Sequence, residues 1–227
     1  MNQAQINEIL KLNEAFYEKA PFSNTRRSYW KGWGRAVEVI SFNDHSTINV
    51  LDVGCGNGRF LRFLKERLPA SGIKYTGLDN NGGMLKEARS NYPDGDFLTA
   101  DILEKIPEGK FDLSVCFGVT HHIPGRELRD RFFHNIAETV KPEGYLIITF
   151  WNFDTKKAVE KLDGANDFLL GWDNTPDLKR YCHLYSDEEM TDIKKGLAGK
   201  GFSLISSFTE DASNIYFVFR KVDTIRS

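Results

Sequence analysis

Hydrophobic positions along the chain switch between two periods. Ile6, Ile9, Leu10, Phe16 and Tyr17 recur near helical spacing, which predicts a helix over residues 2–19 with one apolar face, ended by Pro21. Residues 23–27 read as a polar connector. Gly32 and Gly34 weaken an early helix start, so a second helix is expected from Trp33 to about Ser41. Residues 47–53 form a short apolar run that stops at glycines and reads as a buried strand. A helix follows over 57–68, with Phe60, Leu61, Leu64 and Leu68 on one side. Further strands are expected at 73–79, 96–99, 111–117 and 145–151, with helices over 82–91 and 126–140 between them.

Strand–helix alternation of this kind implies right-handed βαβ units and a parallel sheet. The pattern changes after residue 151. Residues 152–180 have weak periodicity and many polar and glycine positions, as expected of an insertion over one edge of the sheet. Ser186-Asp-Glu-Glu189 is a capping box that starts a helix to about Gly199. Strands at 202–208 and 214–220 are joined by a short connection, so they should pair as a hairpin with at least one strand antiparallel to the rest.

Composition narrows the function classes. The chain has 227 residues, 41% of them hydrophobic, enough to bury a large core in one domain. A net charge of −2 argues against non-specific binding to nucleic acid, although a local basic patch is compatible with it. Cys55, Cys116 and Cys182 are odd in number and form no CxxC pair, so no metal site is expected, and reduced thiols suit a cytoplasmic protein. Residues 1–20 are polar and amphipathic, unlike a signal peptide, and no apolar run reaches membrane-spanning length.

The densest chemical signal is Asp52-Val-Gly-Cys-Gly-Asn-Gly58, where a strand ends, three glycines alternate and a helix begins. Gly54, Gly56 and Gly58 permit φ > 0 and close approach of a ligand to the backbone, here also at Cys55. Dinucleotide enzymes place G-x-G-x-x-G at the same point. Here the spacing is G-x-G-x-G, and Asp52 lies two residues before the first glycine. That carboxylate would repel a pyrophosphate and suits a cationic ligand. Asp79, followed by Asn80, ends the second strand, 21 residues beyond Gly58, where an acid can accept both hydroxyls of a ribose. Asp101 follows the third strand and is placed to meet an adenine amino group, with Ile102 packing on the ring; Phe117 and Gly118 end the fourth.

These motifs resemble the class I S-adenosylmethionine-dependent methyltransferases over roughly residues 48–151. The resemblance implies an α/β Rossmann-like three-layer sandwich: a seven-stranded sheet of order 3-2-1-4-5-7-6 with strand 7 antiparallel. It implies one domain over 1–227, comprising an N-terminal helical cap (1–46), a cofactor-binding core (47–151), an insertion over the site (152–185) and a C-terminal helix and hairpin (186–227). S-adenosylmethionine is the implied cofactor.

Three further segments resemble a narrower family, the methyltransferases that esterify 5-carboxymethyluridine at the tRNA wobble position. They are Ala20, Phe22, Ser23, Thr25, Arg26 and Trp30; His121-His122; and Arg180-Tyr-Cys-His183. The chain departs from that pattern in a one-residue deletion before Phe22, in Cys182 for a tyrosine, and in Lys31-Gly32 where the family has a proline. An ionised carboxylate needs no general base but does need cations to orient it, and Arg26, His122, Arg180 and His183 are the candidates. The acceptor is then tRNA or, in the rival reading, a small molecule; a third reading is a non-catalytic adenosylmethionine-binding subunit. Eukaryotic relatives resemble pairs with a small zinc-binding activator, whereas the charged run Arg126, Glu127, Arg129, Asp130, Arg131 suggests a monomer.

Overall fold

A computed structural model describes residues 1–20, 28–42, 47–69, 72–162, 164, 166–172 and 175–222. The chain opens with α1 (Gln3–Lys19), capped by Asn2 and Gln5 in a reciprocal capping box, and α2 (Lys31–Glu38). There follow β1 (Thr47–Val53), α3 (Arg59–Arg67), β2 (Gly72–Asp79), α4 (Gly82–Asn91), β3 (Asp96–Thr99), β4 (Phe111–Cys116), α5 (Arg126–Thr139) and β5 (Val140–Trp151). Three strands, β6 (Ala158–Lys161), β7 (Asp167–Trp172) and β8 (Thr175–His183), precede α6 (Asp187–Ala198), β9 (Phe202–Glu210) and β10 (Asn214–Lys221).

The main sheet has the order β3-β2-β1-β4-β5-β10-β9. β10 runs antiparallel to both neighbours, so the seventh strand of the main sheet is the reversed one, as expected. Consecutive residues of β1 feed opposite faces of the sheet: Ile48 and Val50 pack with Trp33, Phe60 and Leu64, while Leu51 and Val53 pack with Phe132 and Ile136. Both faces are therefore covered, which gives three layers and explains the unbroken apolar runs of the parallel strands.

One expected boundary is corrected. α2 starts at Lys31 rather than Trp33, because the Asp211 carboxylate accepts from the backbone N–H groups of Lys31 (2.7 Å) and Gly32 (2.8 Å) and so caps the helix from a distant turn. Gly32 is suited to its place despite its low helix propensity, since a Cβ there would fall 2.3 Å from the Tyr216 ring. The segment after residue 151, expected as an insertion, carries regular structure: β6, β7 and β8 form a second antiparallel sheet.

α1 packs on β8 of this second sheet. The buried side chain of Asn13 joins them: its Oδ1 accepts from the Tyr181 N–H (2.8 Å) and its Nδ2 donates to the His122 carbonyl (3.1 Å). At the other end of α1, Asn81 Nδ2 donates to the Tyr17 carbonyl. The N-terminal helix is thereby fixed over the carboxyl ends of the parallel strands. No described helix is long and apolar enough to cross a membrane.

Candidate active site

The sheet order reverses between β1 and β4, and ligands of open α/β sheets bind outside the carboxyl ends of the strands at such a point. A cavity of about 250 Å³ lies there. Its floor is the glycine loop, with Asp52, Gly54, Cys55, Gly56 and Asn57 in the wall. Gly54, Gly56 and Gly58 all take left-handed φ, at 75°, 54° and 78°. The N–H groups of Gly54 and Cys55 both donate to the Leu78 carbonyl, which turns the loop sharply back against β2. Gly58 is the N-cap of α3 and stands behind the wall.

The acids at the strand ends differ in surroundings. Asp52 is buried and accepts from the Tyr75 hydroxyl at 2.5 Å. Burial raises its pKa from 3.8 to about 7; the Tyr75 bond opposes this rise, Asp79 adds to it and Arg59 lowers it. Asp79 accepts from the N–H groups of Gly56 and Asn81, both at 2.8 Å, and so clamps the glycine loop to the end of β2; burial raises its pKa. Asn80 beside it is exposed. Asp101 accepts from the Leu103 N–H and shapes the turn after β3, while Ile102 is buried and its carbonyl accepts from Asn135. These four residues are outside the cavity lining. Phe117 and Gly118 are within it; Gly118, at φ 72°, donates its N–H to Thr149, and Phe117 lies among Trp30, Trp33 and Phe60.

Arg180 lines the same cavity and is 8% exposed. It makes no ion pair among the described residues, and its Nε is buried without a hydrogen-bond partner. Its guanidinium lies over the rings of Phe16 (5.0 Å), Trp151 (5.3 Å) and Trp172 (5.5 Å).

The two expected histidines behave otherwise. His122 Nδ1 lies 2.8 Å from the Tyr181 carbonyl, which can only accept, so that nitrogen carries the proton. Nε2 then accepts from the Tyr17 hydroxyl at 2.5 Å. Burial, and secondarily the charge of Arg180, push the His122 pKa down to about 3. The ring lines the cavity but is neutral with its N–H committed, which corrects its expected role as a cationic donor to the acceptor. His121, His122 and Cys182 bring their ligand atoms within 4.8 Å of one another, yet burial pushes the Cys182 thiol up to about 12, against the opposing charge of Arg180, and the positive field of Arg180 would repel a bound cation.

His183 is also corrected. It does not line the cavity but is buried between Asp167 (Nδ1 to Oδ1, 2.7 Å) and Glu189 (Nε2 to Oε1, 3.0 Å). Glu189 in turn pairs with Arg129, which is buried and so does not add to the exposed charge of α5. This network ties the second sheet to α5 and α6. Arg26 lies outside the described residues.

Three wall groups escaped sequence reasoning. Tyr17 read as part of an apolar helix face, yet its hydroxyl meets His122. Arg59 follows Gly58 directly, and its position after the loop was the available signal. Asp211, Ala212 and Ser213 take φ of 52°, 56° and 79° in a β9–β10 turn whose Asp211 and Ala212 line the cavity; nothing in Asp-Ala-Ser foretells three left-handed residues.

A switch-point crevice floored by a glycine loop, with a buried carboxylate in its wall, is the arrangement of a Rossmann-like methyltransferase. Residues 50–144 match the model of the methyltransferase domain family. A protein of Encephalitozoon cuniculi named as a methyltransferase is 30% identical over 205 positions, covering 87% of this chain and 90% of that protein. The chain belongs to the methyltransferase family, and it is an S-adenosylmethionine-dependent enzyme. It is also similar to a ubiquinone biosynthesis O-methyltransferase of Rickettsia bellii (28% identity; 99% of this chain, 98% of that one). Against the tRNA (carboxymethyluridine(34)-5-O)-methyltransferase of Saccharomyces cerevisiae the identity is 29%, over 66% of this chain and 51% of the other. The fold is shared with magnesium protoporphyrin IX methyltransferase from Synechocystis, solved with bound S-adenosylmethionine (TM-score 0.63, 16% identity, 92% and 94% coverage).

Proposed function

We propose that this enzyme transfers a methyl group from S-adenosylmethionine to a carboxylate oxygen of its acceptor. The observation that carries the reading is Arg180, a buried guanidinium on the cavity wall with no ion pair among the described residues. The cofactor supplies an electrophilic methyl on a sulfonium. Asp52 faces that cationic end, Asp79 is proposed for the ribose, and Asp101 with Ile102 for the adenine. Arg180 orients the acceptor carboxylate, and the surrounding aromatic rings exclude water. An acceptor that is already ionised loses no proton, so the feeble basicity of His122 is no obstacle. The same feeble basicity disfavours acceptors, such as phenols, that need a base.

Within this reading the 5-carboxymethyl group of a tRNA wobble uridine is the acceptor favoured by the segments around Ala20, His121-His122 and Arg180. The relative from S. cerevisiae supports it. A small free carboxylic acid is the second reading, favoured by the net charge of −2 and the likeness to a ubiquinone-pathway enzyme. Label transferred from methyl-labelled cofactor should be released by mild alkali as methanol, the behaviour of a methyl ester. Alkali-stable label would reject carboxylate chemistry. Filter binding to bulk tRNA over a salt series then separates the acceptors, because phosphate contacts give a steep salt slope and a small-acid enzyme gives none.

The cofactor step has its own pH signature. Asp52 is protonated below about pH 7 and must be ionised to hold a cation. Affinity for adenosylmethionine is expected to be flat at alkaline pH and to weaken up to about tenfold per unit as pH falls through the range below 7. Calorimetric titrations across that range check this, and Asp52→Asn should bind weakly with no such dependence. Flat wild-type affinity would refute the role of Asp52.

A further inference from the structure

A second cavity, of about 330 Å³, lies between α5 and α6 and shares no wall residue with the first. Phe133, Tyr185 and Leu197 give it a buried apolar wall. Gly196 lines it too, inside α6, although glycine disfavours a helix interior. Neither conformation nor packing requires glycine there: its φ is not positive, and no atom lies within 4 Å of an added Cβ. Its effect is to leave the cavity open. Arg129 belongs to the same wall and is 8% exposed. Its Nη2 donates to Glu189 Oε1 at 3.1 Å, but its Nη1 is buried without a hydrogen-bond partner among the described residues. Glu189 is committed elsewhere, because the same Oε1 meets His183 Nε2 (3.0 Å) and Oε2 accepts from the Ser186 N–H (3.1 Å). An unmade donor on a buried charged group costs free energy that an incoming acceptor recovers.

We propose that this cavity is a second ligand site, for a small monocarboxylate with an apolar body, its carboxylate on Arg129 and its body against Phe133, Tyr185 and Leu197. The other cations of the wall are already answered: Arg126 by Asp130 and Asp192 (3.7 Å each), Lys200 by Glu138 (3.3 Å). Arg129 is therefore the group that selects the ligand, and its planar fork matches a carboxylate. Asp130, Glu189 and Asp192 in the same wall would repel a second negative charge, which disfavours a phosphate ester. The site is independent of the reading of the first cavity, since no residue is common to both.

Phenylacetate and its neutral isostere phenylacetamide are the probes, titrated into the full chain carrying NMR labels on its isoleucine and leucine methyl groups. An Arg180→Met background removes the arginine proposed for the acceptor, so that carboxylate binding in the first cavity does not intrude. Phenylacetate should shift the methyl signals of Ile193 and Leu197 saturably, at roughly millimolar affinity for so small a ligand. It should bind about tenfold more tightly than phenylacetamide, the worth of one charge-assisted pair, and Arg129→Met should erase that preference. Arg129 also supports Glu189, so Gly196→Leu provides a test that leaves the network intact. It fills the cavity from an open helix position and should abolish the phenylacetate shifts, while methyl transfer with Arg180 present stays within about twofold of wild type. Equal affinity for the two probes, no saturable shift at Ile193 and Leu197, or phenylacetate binding that survives Gly196→Leu would each overturn the proposal.

Discussion

Replacing Arg180 by methionine is expected to lower kcat/KM for the acceptor by about 100-fold or more, the scale of a buried ion pair broken from one side. Affinity for adenosylhomocysteine should stay within about twofold, since Arg180 is read as part of the acceptor's surroundings rather than the donor's. Methionine preserves the length and apolar stem that fill the space between Phe16, Trp151 and Trp172. It removes the charge and the orphaned Nε. Folding stability should therefore hold or rise, because a buried cation without an ion-pair partner costs free energy that a thioether does not. Steady-state kinetics and thermal unfolding of one variant thus move in opposite directions. A fall in stability matching the fall in activity would show that Arg180 serves the fold alone. Arg180→Lys should recover little, because an ammonium loses both the planar stacking and the fork.

The parts of this molecule that could be read from sequence are those governed by local periodicity. The apolar runs ending in Val53, Asp79 and Phe117 fix three strand ends to within one residue, and the short turn before Asn214 implies the reversed strand at the end of the sheet. The glycine loop is legible because left-handed backbone strongly favours glycine, so three alternating glycines carry the conformation. Residues placed by long-range contacts were not legible. His183 was singled out because the segment Arg180-Tyr-Cys-His183 resembles a family pattern, but β-strand alternation sends the two side chains to different surroundings, one to the cavity and one to Asp167 and Glu189. Tyr17 and His122 are 105 positions apart, and only the docking of α1 through Asn13 brings them together. Asp211 caps α2 from 180 positions away, which no local rule anticipates. Within the second sheet, β6 was hidden because it is short and mostly exposed and so shows no apolar run.

Gly54→Ala should weaken cofactor binding by about tenfold or more, and its comparison with Gly109→Ala separates the two reasons why. Gly54 has φ 75° and Gly109 has φ 96°, so alanine at either position is forced into left-handed backbone, at roughly 1–2 kcal/mol. At Gly109 nothing lies within 4 Å of the added Cβ, and that variant should lose stability by about this amount while binding the cofactor normally. At Gly54 the Cβ would fall 2.1 Å from Val119 Cγ2, so something must move. The loop is pinned on its other side by the two N–H bonds to the Leu78 carbonyl. Val119 leads into the turn Thr120–His122, whose own bonds reach Tyr181. Relief therefore displaces either the floor of the site or the turn bearing His122. Overpacking of this kind adds about 1–3 kcal/mol, so the total destabilisation expected by urea denaturation is about 2–5 kcal/mol, with cofactor affinity down by about tenfold or more. Adding Val119→Ala should return the steric part and leave the backbone part, so that the double variant unfolds near Gly109→Ala and regains most of its cofactor affinity. If Val119→Ala restores nothing, the Gly54 requirement is conformational alone, and close packing against the Val119 turn plays no part in shaping the site.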